Sequence, residues 1–182
     1  MNKEIYALEK YTSDGSPTIF LAGPTPRDHS SPSWRPNMIN ALRESGFNGD
    51  IFIPEKEEDY LSYEHSTQVH WEVKHLNLAT LIVFWIPRSI PSMPGFTTNI
   101  EFGEFMHSGK ILLGYPEEAE KMKYFKVRAE MHNIPVFSSI DEINYFFQYN
   151  LNDFLTLIEI KQIIKSEKLD INLNLSDDLL IQ

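Results

Sequence analysis

The chain has 182 residues, of which 42% are hydrophobic and 23% charged, and these values are ordinary for one globular domain and exclude extensive disorder. The formal net charge of −10 disfavours binding to a nucleic-acid polymer, and no basic patch is visible in the sequence. The absence of cysteine excludes disulfides, thiolate metal sites and a cysteine nucleophile. No signal peptide is visible and the apolar stretch at residues 76–86 is too short to span a bilayer, so we expect a cytoplasmic protein without membrane contact.

Short apolar runs alternate along the chain with segments of helical periodicity. The run at residues 81–86 is apolar throughout, which is typical of a strand covered on both faces in a parallel sheet. The predicted strands are residues 18–22, 51–53, 81–86, 111–113 and 135–137, and the predicted helices between them are residues 34–44, 67–79, 98–108 and 116–131. This alternation predicts an α/β fold with a doubly wound, five-stranded parallel sheet of the flavodoxin-like type.

Both ends of the chain are expected to add to this core. Residues 140–168 carry an apolar stripe at helical spacing from Ile143 to Ile158 and form a predicted C-terminal helical extension. Residues 5–11 are a candidate edge strand, and residues 171–182 are expected to be extended or partly disordered. We predict a single domain over residues 1–182, with a core at residues 17–137 and the helical extension and tail at residues 138–182.

Ligands of open parallel sheets bind in the crevice at the carboxyl ends of the strands. Three loops should reach that edge, at residues 23–28, 54–60 and 88–98. Glu101 directly follows the third loop, so we expect its carboxylate at the rim of the crevice. Glu72, on the preceding helix, can approach the same place.

A structural role for Glu101 is also open. The pattern Thr98-x-x-Glu101 fits a capping box, which would place Glu101 in the first turn of its helix, as a cap, a nucleophile or both. The pairs Glu72-x-x-His75 and Glu104-x-x-His107 mimic half of a di-iron site, but such a site needs a four-helix bundle. We therefore read both histidines as helix-surface residues and expect neither a metal nor a cofactor.

Five motifs, taken together and in this order, resemble the nucleoside 2-deoxyribosyltransferase family, especially its transferase-like branch. The resemblance covers about residues 17–136. The motifs are Phe20-Leu-Ala-Gly-Pro-Thr-Pro-Arg27, Ser33-Trp-Arg35, Trp71-Glu72, Phe84-Trp-Ile-Pro-Arg88 and Gly95-Phe-Thr-Thr-Asn-Ile-Glu-Phe-Gly103. The resemblance implies that Glu101 is the nucleophile and that Glu72 assists it, in a place where better-known members have Asp.

The implied chemistry suits such a pair of carboxylates. Cleavage of a nucleosidic C1′–N bond develops positive charge on the sugar, which a carboxylate below C1′ can stabilise and trap covalently. A second carboxyl group with a raised pKa can supply the proton that the departing base needs. The implied partners are a small-molecule nucleoside or nucleotide and a free nucleobase.

Substrate contacts are expected from the loops and from nearby side chains. Arg27 and Arg35 are candidates for holding a 5′-phosphate, and Trp71 is a candidate for stacking on a base. Gly95 stands where better-known members have an Asp that contacts the base, and its substitutes could be Arg88, Asn99 or a residue of a neighbouring subunit. The predicted substrate-binding residues are Gly23, Pro24, Arg27, Trp71, Arg88, Thr98 and Asn99.

Three functions remain open from the sequence. The leading one is base exchange on a 2′-deoxynucleoside, and the others are an N-glycosidase that acts on nucleosides or nucleoside monophosphates and a binding module without turnover. The resemblance also implies a homo-oligomer whose neighbouring subunit helps to complete the active site. We expect residues 140–168 at or near that contact, with docking of this helix on its own domain as the alternative.

Overall fold

The computed structural model describes residues 2–61 and 65–166, and in this part of the chain six strands alternate with five helices. The strands are β1 (Glu4–Tyr6), β2 (Thr18–Ala22), β3 (Asp50–Ile53), β4 (Leu81–Trp85), β5 (Ile111–Gly114) and β6 (Val136–Phe137). The helices are α1 (Arg35–Glu44), α2 (His65–Leu78), α3 (Phe96–Phe105), α4 (Lys123–Met131) and α5 (Ile140–Ser166). No helix of these described residues is long and apolar enough to cross a membrane.

The strands form one open sheet in the order β1-β3-β2-β4-β5-β6, and all neighbouring strands are parallel. Strands β2 to β6 have the flavodoxin-like order, with the switch point between β2 and β4. The predicted fold class is therefore confirmed, with β1 as a sixth strand at the edge. This edge strand is shorter than predicted and ends at Tyr6, and Leu8 beyond it has a left-handed φ of 72°.

Both faces of the sheet are covered by helices. Along β2, Phe20 and Ala22 pack on the side of α2, α3 and α4, whereas Ile19 and Leu21 pack on the side of α1 and α5. Every residue of β2 is buried, as expected for a parallel strand between two helical layers.

Helix α5 lies against α1 within the same chain. Its residues Ile143, Phe147 and Ile158 are buried in the cluster that contains Met38 and Leu42 of α1. The apolar stripe thus docks on its own domain, the alternative given above, because the earlier helices leave this face of the sheet uncovered beside α1. A contact between subunits at or near α5 stays a prediction. Residues 167–182, which include the predicted extended tail, lie outside the described residues.

The starts of α3 and α4 differ from the predicted ones in ways that bear on the site. Helix α4 begins at Lys123, since residues 116–121 form turns and Lys121 has a left-handed φ of 59°. Helix α3 begins at Phe96, two residues earlier than predicted, directly after Gly95 in a left-handed conformation. Because α3 starts earlier, Thr98 is not its cap residue and Glu101 is not in its first turn.

Candidate active site

The loops that follow β2 and β4 touch each other at the switch point. Gly23 has a φ of 148°, and a Cβ atom at this position would lie 2.0 Å from the carbonyl oxygen of Trp85. A side chain at residue 23 would therefore force the two loops apart. The backbone N–H of Arg27 donates to the carbonyl of Ser92 at 2.8 Å, and its Nη1 donates to the carbonyl of Pro91 at 3.3 Å. The exposed Arg27 side chain thus stands at the rim of the crevice.

Gly95 lies inside this junction as the residue before α3. Its φ is 61°, and a Cβ atom there would lie 3.2 Å from Cβ of Pro24 and 3.3 Å from the hydroxyl of Thr98. The buried Pro24 is held in turn by its carbonyl, which accepts a hydrogen bond of 2.8 Å from Nε1 of Trp34. Gly95, at the position where the resemblance implies a base-contacting Asp in better-known members, thus lies in a tight turn that packs against the loop after β2.

A buried ion pair joins Arg35, at the start of α1, to Glu55, in the loop that follows β3. Arg35 is only 1% exposed, and its guanidinium is fully engaged inside the protein. It donates to the carbonyls of Leu21 at 3.2 Å and Gly23 at 2.8 Å and to the hydroxyl of Thr25 at 3.1 Å. The prediction that Arg35 could hold a substrate phosphate is therefore wrong.

Glu101 does not form the predicted capping box. Because α3 begins at Phe96, Glu101 lies in the second turn, and no side chain caps the start of the helix. The hydroxyl of Thr98 is buried and has no hydrogen-bond partner among the residues described. Thr98 therefore reaches neither the cap position nor the surface of the crevice, and the carboxylate of Glu101 is left without a structural role at the helix end.

The carboxyl groups of Glu101 and Glu72 both have a raised pKa. Burial raises the pKa of Glu101 to about 7, the negative charge of Glu72 adds to this rise, and the positive charge of Arg35 opposes it. Burial also raises the pKa of Glu72, against a hydrogen bond from Gln68 and the charge of Arg35. Both carboxyl groups thus have a raised pKa, and the charge of one acts on the other, which is typical of catalytic sites.

Gln68 fixes the position of Glu72 and was not predicted from the sequence. Its amide nitrogen donates to Oε1 of Glu72 at 3.0 Å and to the carbonyl of Pro54 at 3.1 Å. The signal was the spacing of four residues between Gln68 and Glu72, which brings two side chains together on one helix face. Glu55 was missed as well, although it follows β3 at the carboxyl edge of the sheet.

Arg88 and Asn99 lie on the opposite side of α3 from Glu101. Nη2 of Arg88 donates to Oδ1 of Asn99 at 2.6 Å, and both residues line a cavity between α3 and α4 that Glu101 does not line. Two residues correspond to about 200° around a helix, which separates Asn99 from Glu101. The structure therefore does not bring these two predicted binding residues to the carboxylate pair.

Trp71 is a core residue and offers no free ring face to a base. Its indole stacks on His75 with 4.0 Å between ring centroids, and its Nε1 donates to the carbonyl of Glu9 at 3.0 Å. His75 is 1% exposed, so its predicted place on the helix surface is wrong. Nδ1 of His75 donates to the carbonyl of Trp71 at 2.7 Å. Across residues 2–61 and 65–166, no cluster of three or more His, Asp or Glu side chains could hold a metal ion.

The fold and the site together define a flavodoxin-like α/β protein with two glutamates of raised pKa near its switch point. A family described as nucleoside 2-deoxyribosyltransferase like matches residues 16–119, which is more than half of the chain. The chain belongs to this family. The matched region contains Glu72 and Glu101 and ends before α4. A search of curated proteins finds no match.

Proposed function

We propose that the protein transfers 2-deoxyribose between nucleobases through a covalent ester on Glu101, as a nucleoside 2-deoxyribosyltransferase-like enzyme of nucleotide salvage. The observation that carries this proposal is the raised pKa of two neighbouring carboxyls, about 7 at Glu101 through burial and the charge of Glu72, and raised at Glu72 through burial. Near neutral pH the pair takes up and releases a proton, so one carboxyl can be ionised while the other is protonated. The reaction needs one group in each state.

In the first half of the reaction, ionised Glu101 attacks C1′ of the nucleoside. A bond forms between the carboxylate oxygen and C1′, the C1′–N bond breaks, and its electron pair leaves with the base. Protonated Glu72 gives its proton to the departing base. The positive charge that develops on the sugar favours the ionised form of Glu101. The proton of the pair is then on Glu72, from which the departing base takes it.

In the second half, another base attacks C1′ from the side that the first base has left. The ester bond breaks, its electron pair returns to Glu101, and the proton of the incoming base passes to Glu72. Two inversions give net retention at C1′, as in retaining glycosidases. Gln68 holds Glu72 in place through its hydrogen bond, and the ion pair of Arg35 and Glu55 supports the neighbouring loops.

The pH dependence of catalysis tests whether protonated Glu72 acts as the general acid. We expect kcat/KM of the wild type to fall as pH rises through about 7, because the pair then loses its last proton and with it the general acid. In Glu72→Gln this basic limb should disappear and overall activity should decrease, least for substrates whose base is a good leaving group. Removal of the like charge also lowers the pKa of Glu101, so the remaining acid limb should reflect Glu101 alone.

Glu104→Gln is the matched control for this experiment. Glu104 is exposed on α3, and its charge also raises the pKa of Glu101, although less than that of Glu72 does. This variant should therefore move the basic limb slightly to lower pH and should not change the dependence on the leaving group. A basic limb near pH 7 that persists in Glu72→Gln would contradict the role of Glu72 as the acid.

A substrate panel tests the reaction itself. The protein is incubated with deoxyinosine, with and without free adenine, and the products are separated by chromatography, with Glu101→Gln as the inactive control. Formation of deoxyadenosine supports transfer. Free hypoxanthine without exchange identifies an N-glycosidase, in which water resolves the ester, and no product identifies a binding module.

The N-glycosidase remains the second candidate because of Arg27. This cation stands exposed at the rim, where the first loop meets residues 91 and 92, and it is suited to a 5′-phosphate. The same panel is therefore repeated with deoxynucleoside monophosphates. A preference for monophosphates that is lost in Arg27→Gln would support the second candidate over the first.

We also propose that the protein is a homo-oligomer, as the family resemblance implies. Although α5 packs on its own chain, it still exposes Tyr145 and Tyr149, and further large apolar side chains are exposed on α3 and α4. These side chains are Phe96, Ile100, Tyr124, Val127 and Met131. Sedimentation at micromolar concentration should give a mass of at least two chains. A fully active monomer of 21.2 kDa would contradict both the oligomer and any shared active site.

A further inference from the structure

A cavity of about 380 Å³ lies between α3 and α4, on the side of α3 that faces away from Glu101. Three cationic side chains line it, those of Arg88, Lys121 and Arg128, together with aromatic side chains that include Tyr124 and Phe125. No carboxylate is among its lining residues. In a chain with a net charge of −10, this is an unusual local composition.

Arg88 contributes a buried guanidinium whose contacts are all neutral. The residue is 6% exposed, and its Nη2 donates to Oδ1 of Asn99 at 2.6 Å and to the carbonyl of Gly95 at 3.4 Å. The guanidinium lies over the ring of Phe125 at 5.0 Å. Its Nε is buried and has no hydrogen-bond partner in the described part of the chain. One N–H donor of Arg88 is thus unused by the described residues.

Arg128 has similar surroundings on α4. Its Nη1 donates to the hydroxyl of Tyr124 at 3.2 Å, its Nη2 donates to Sδ of Met106 at 3.0 Å, and Nε2 of His132 lies 3.4 Å away. The Nε of Arg128 is also buried without a partner among the described residues. Two guanidinium groups at one cavity therefore each retain an unused donor.

The charges of these two groups are not compensated by any ion pair that the described residues form. The nearby Glu120 does not neutralise Arg88, because its carboxylate accepts from the backbone of Ile90 at 3.4 Å and only its own N–H contacts the carbonyl of Arg88. Arg88 is the buried one of the two, and a desolvated cation without an anionic partner is costly to the folded state. A bound anion removes this cost and gains charge-assisted hydrogen bonds.

We propose that the groove between α3 and α4 binds a small organic phosphate. The phosphate group accepts hydrogen bonds from Arg88, Arg128 and Lys121, and the remainder of the ligand packs on Tyr124 and Phe125. The volume suits a molecule of about the size of a mononucleotide. Neither Glu101 nor Glu72 lines this groove, so it is separate from the site of the proposed reaction.

The test measures binding to Glu101→Gln, which keeps the groove and prevents turnover. Isothermal titration in phosphate-free buffer uses three probes, namely AMP, adenosine and inorganic phosphate. We expect AMP to bind with a Kd below about 1 mM and adenosine to bind at least about tenfold more weakly, because adenosine lacks the phosphate. Inorganic phosphate should compete with AMP.

Two further variants locate the binding. Adding Arg128→Gln should weaken AMP binding at least about tenfold, whereas Lys126→Gln, which removes an exposed cation of the same helix, should leave it unchanged. Arg88→Met should weaken it similarly without lowering the melting temperature of the free protein, because an apolar side chain replaces an uncompensated buried charge. Melting curves of all variants confirm that each is folded.

Three results would overturn the proposal. The first is the absence of binding of both AMP and inorganic phosphate at about 1 mM. The second is an unchanged AMP affinity in both folded variants, Arg128→Gln and Arg88→Met. The third is loss of AMP binding in Arg27→Gln alone, which would place the nucleotide in the crevice of the active site. None of these results depends on whether the protein transfers deoxyribose.

Discussion

Replacement of Glu101 by Gln is expected to lower turnover at least about 10³-fold, which corresponds to roughly 4 kcal/mol of transition-state stabilisation. The amide has nearly the same shape as the carboxyl group, but it carries no negative charge and cannot form the ester with C1′. The loss should appear for every deoxynucleoside that the wild type accepts. It is measured as initial rates at saturating substrate, so that weaker binding does not contribute.

The same substitution is expected to make the protein more stable at high pH. The pKa of Glu101 in the folded state, about 7, lies above its ordinary value of 4.5, so the folded state favours the protonated form. Its favourable contribution is therefore complete below about pH 4.5 and is lost as pH rises through about 7. Gln stays neutral throughout and should be more stable than the wild type by about 2 to 3 kcal/mol at pH 8, with no difference at pH 4.

A purely structural role for Glu101 leads to the opposite result. Loss of a helix cap lowers stability by about 1 kcal/mol and leaves the activity of the folded protein intact. Urea titrations at both pH values separate the two cases, with the exposed Glu104→Gln as the control on the same helix. A folded and active Glu101→Gln protein would exclude Glu101 as the nucleophile. Equal stability differences at pH 4 and pH 8 would exclude a raised pKa of Glu101 in the folded state.

Replacement of Arg35 by Met is expected to lower the free energy of unfolding by about 3 to 5 kcal/mol. The substitution leaves the carboxylate of Glu55 buried without its counter-ion and leaves the carbonyls of Leu21 and Gly23 without their donor. It also removes the positive charge that lowers the pKa of both Glu72 and Glu101. We therefore expect a less stable protein whose remaining activity has a basic limb at higher pH.

Arg27→Met provides the matched control. Arg27 belongs to the same loop but is exposed, so its replacement should change stability by less than about 0.5 kcal/mol. The double variant Arg35→Met/Glu55→Gln should recover part of the loss, because it no longer contains an uncompensated charge. If Arg35→Met unfolds within about 1 kcal/mol of the wild type, the ion pair does not support the loops as we infer.

The local pattern of the sequence predicted much of the fold. Strands such as Thr18–Ala22 and Leu81–Trp85 are continuous apolar runs between turn residues, so their positions depend little on the rest of the molecule. The alternation of strands and helices then led to the parallel sheet, because crossovers of this length are right-handed. From the sheet followed the place of Glu72 and Glu101, since ligand sites lie at the carboxyl ends of the strands.

Other features depend on contacts between distant segments. The start of α3 at Phe96 follows from the turn at Gly95, which packs against Pro24 of another loop, and this contact decides that Glu101 is no cap. The sequence pattern of a capping box is local, and it could not include the neighbouring loop. The apolar stripe of α5 is similar, because its partner depends on which face the other helices leave uncovered.

The sequence by itself determined the alternation of elements, the family and the two glutamates that we propose as catalytic, because these rest on residue types and short spacings. Only the tertiary structure decided which charged and polar side chains are buried. Arg35, which the sequence suggested as a phosphate ligand, bonds to the end of β2, and Nζ of Lys110 donates to carbonyls at the end of α2. Burial depends on what surrounds a side chain in three dimensions. The pKa of Glu101 and the unpaired donors of Arg88 and Arg128 depend on burial, so the sequence alone could not predict them.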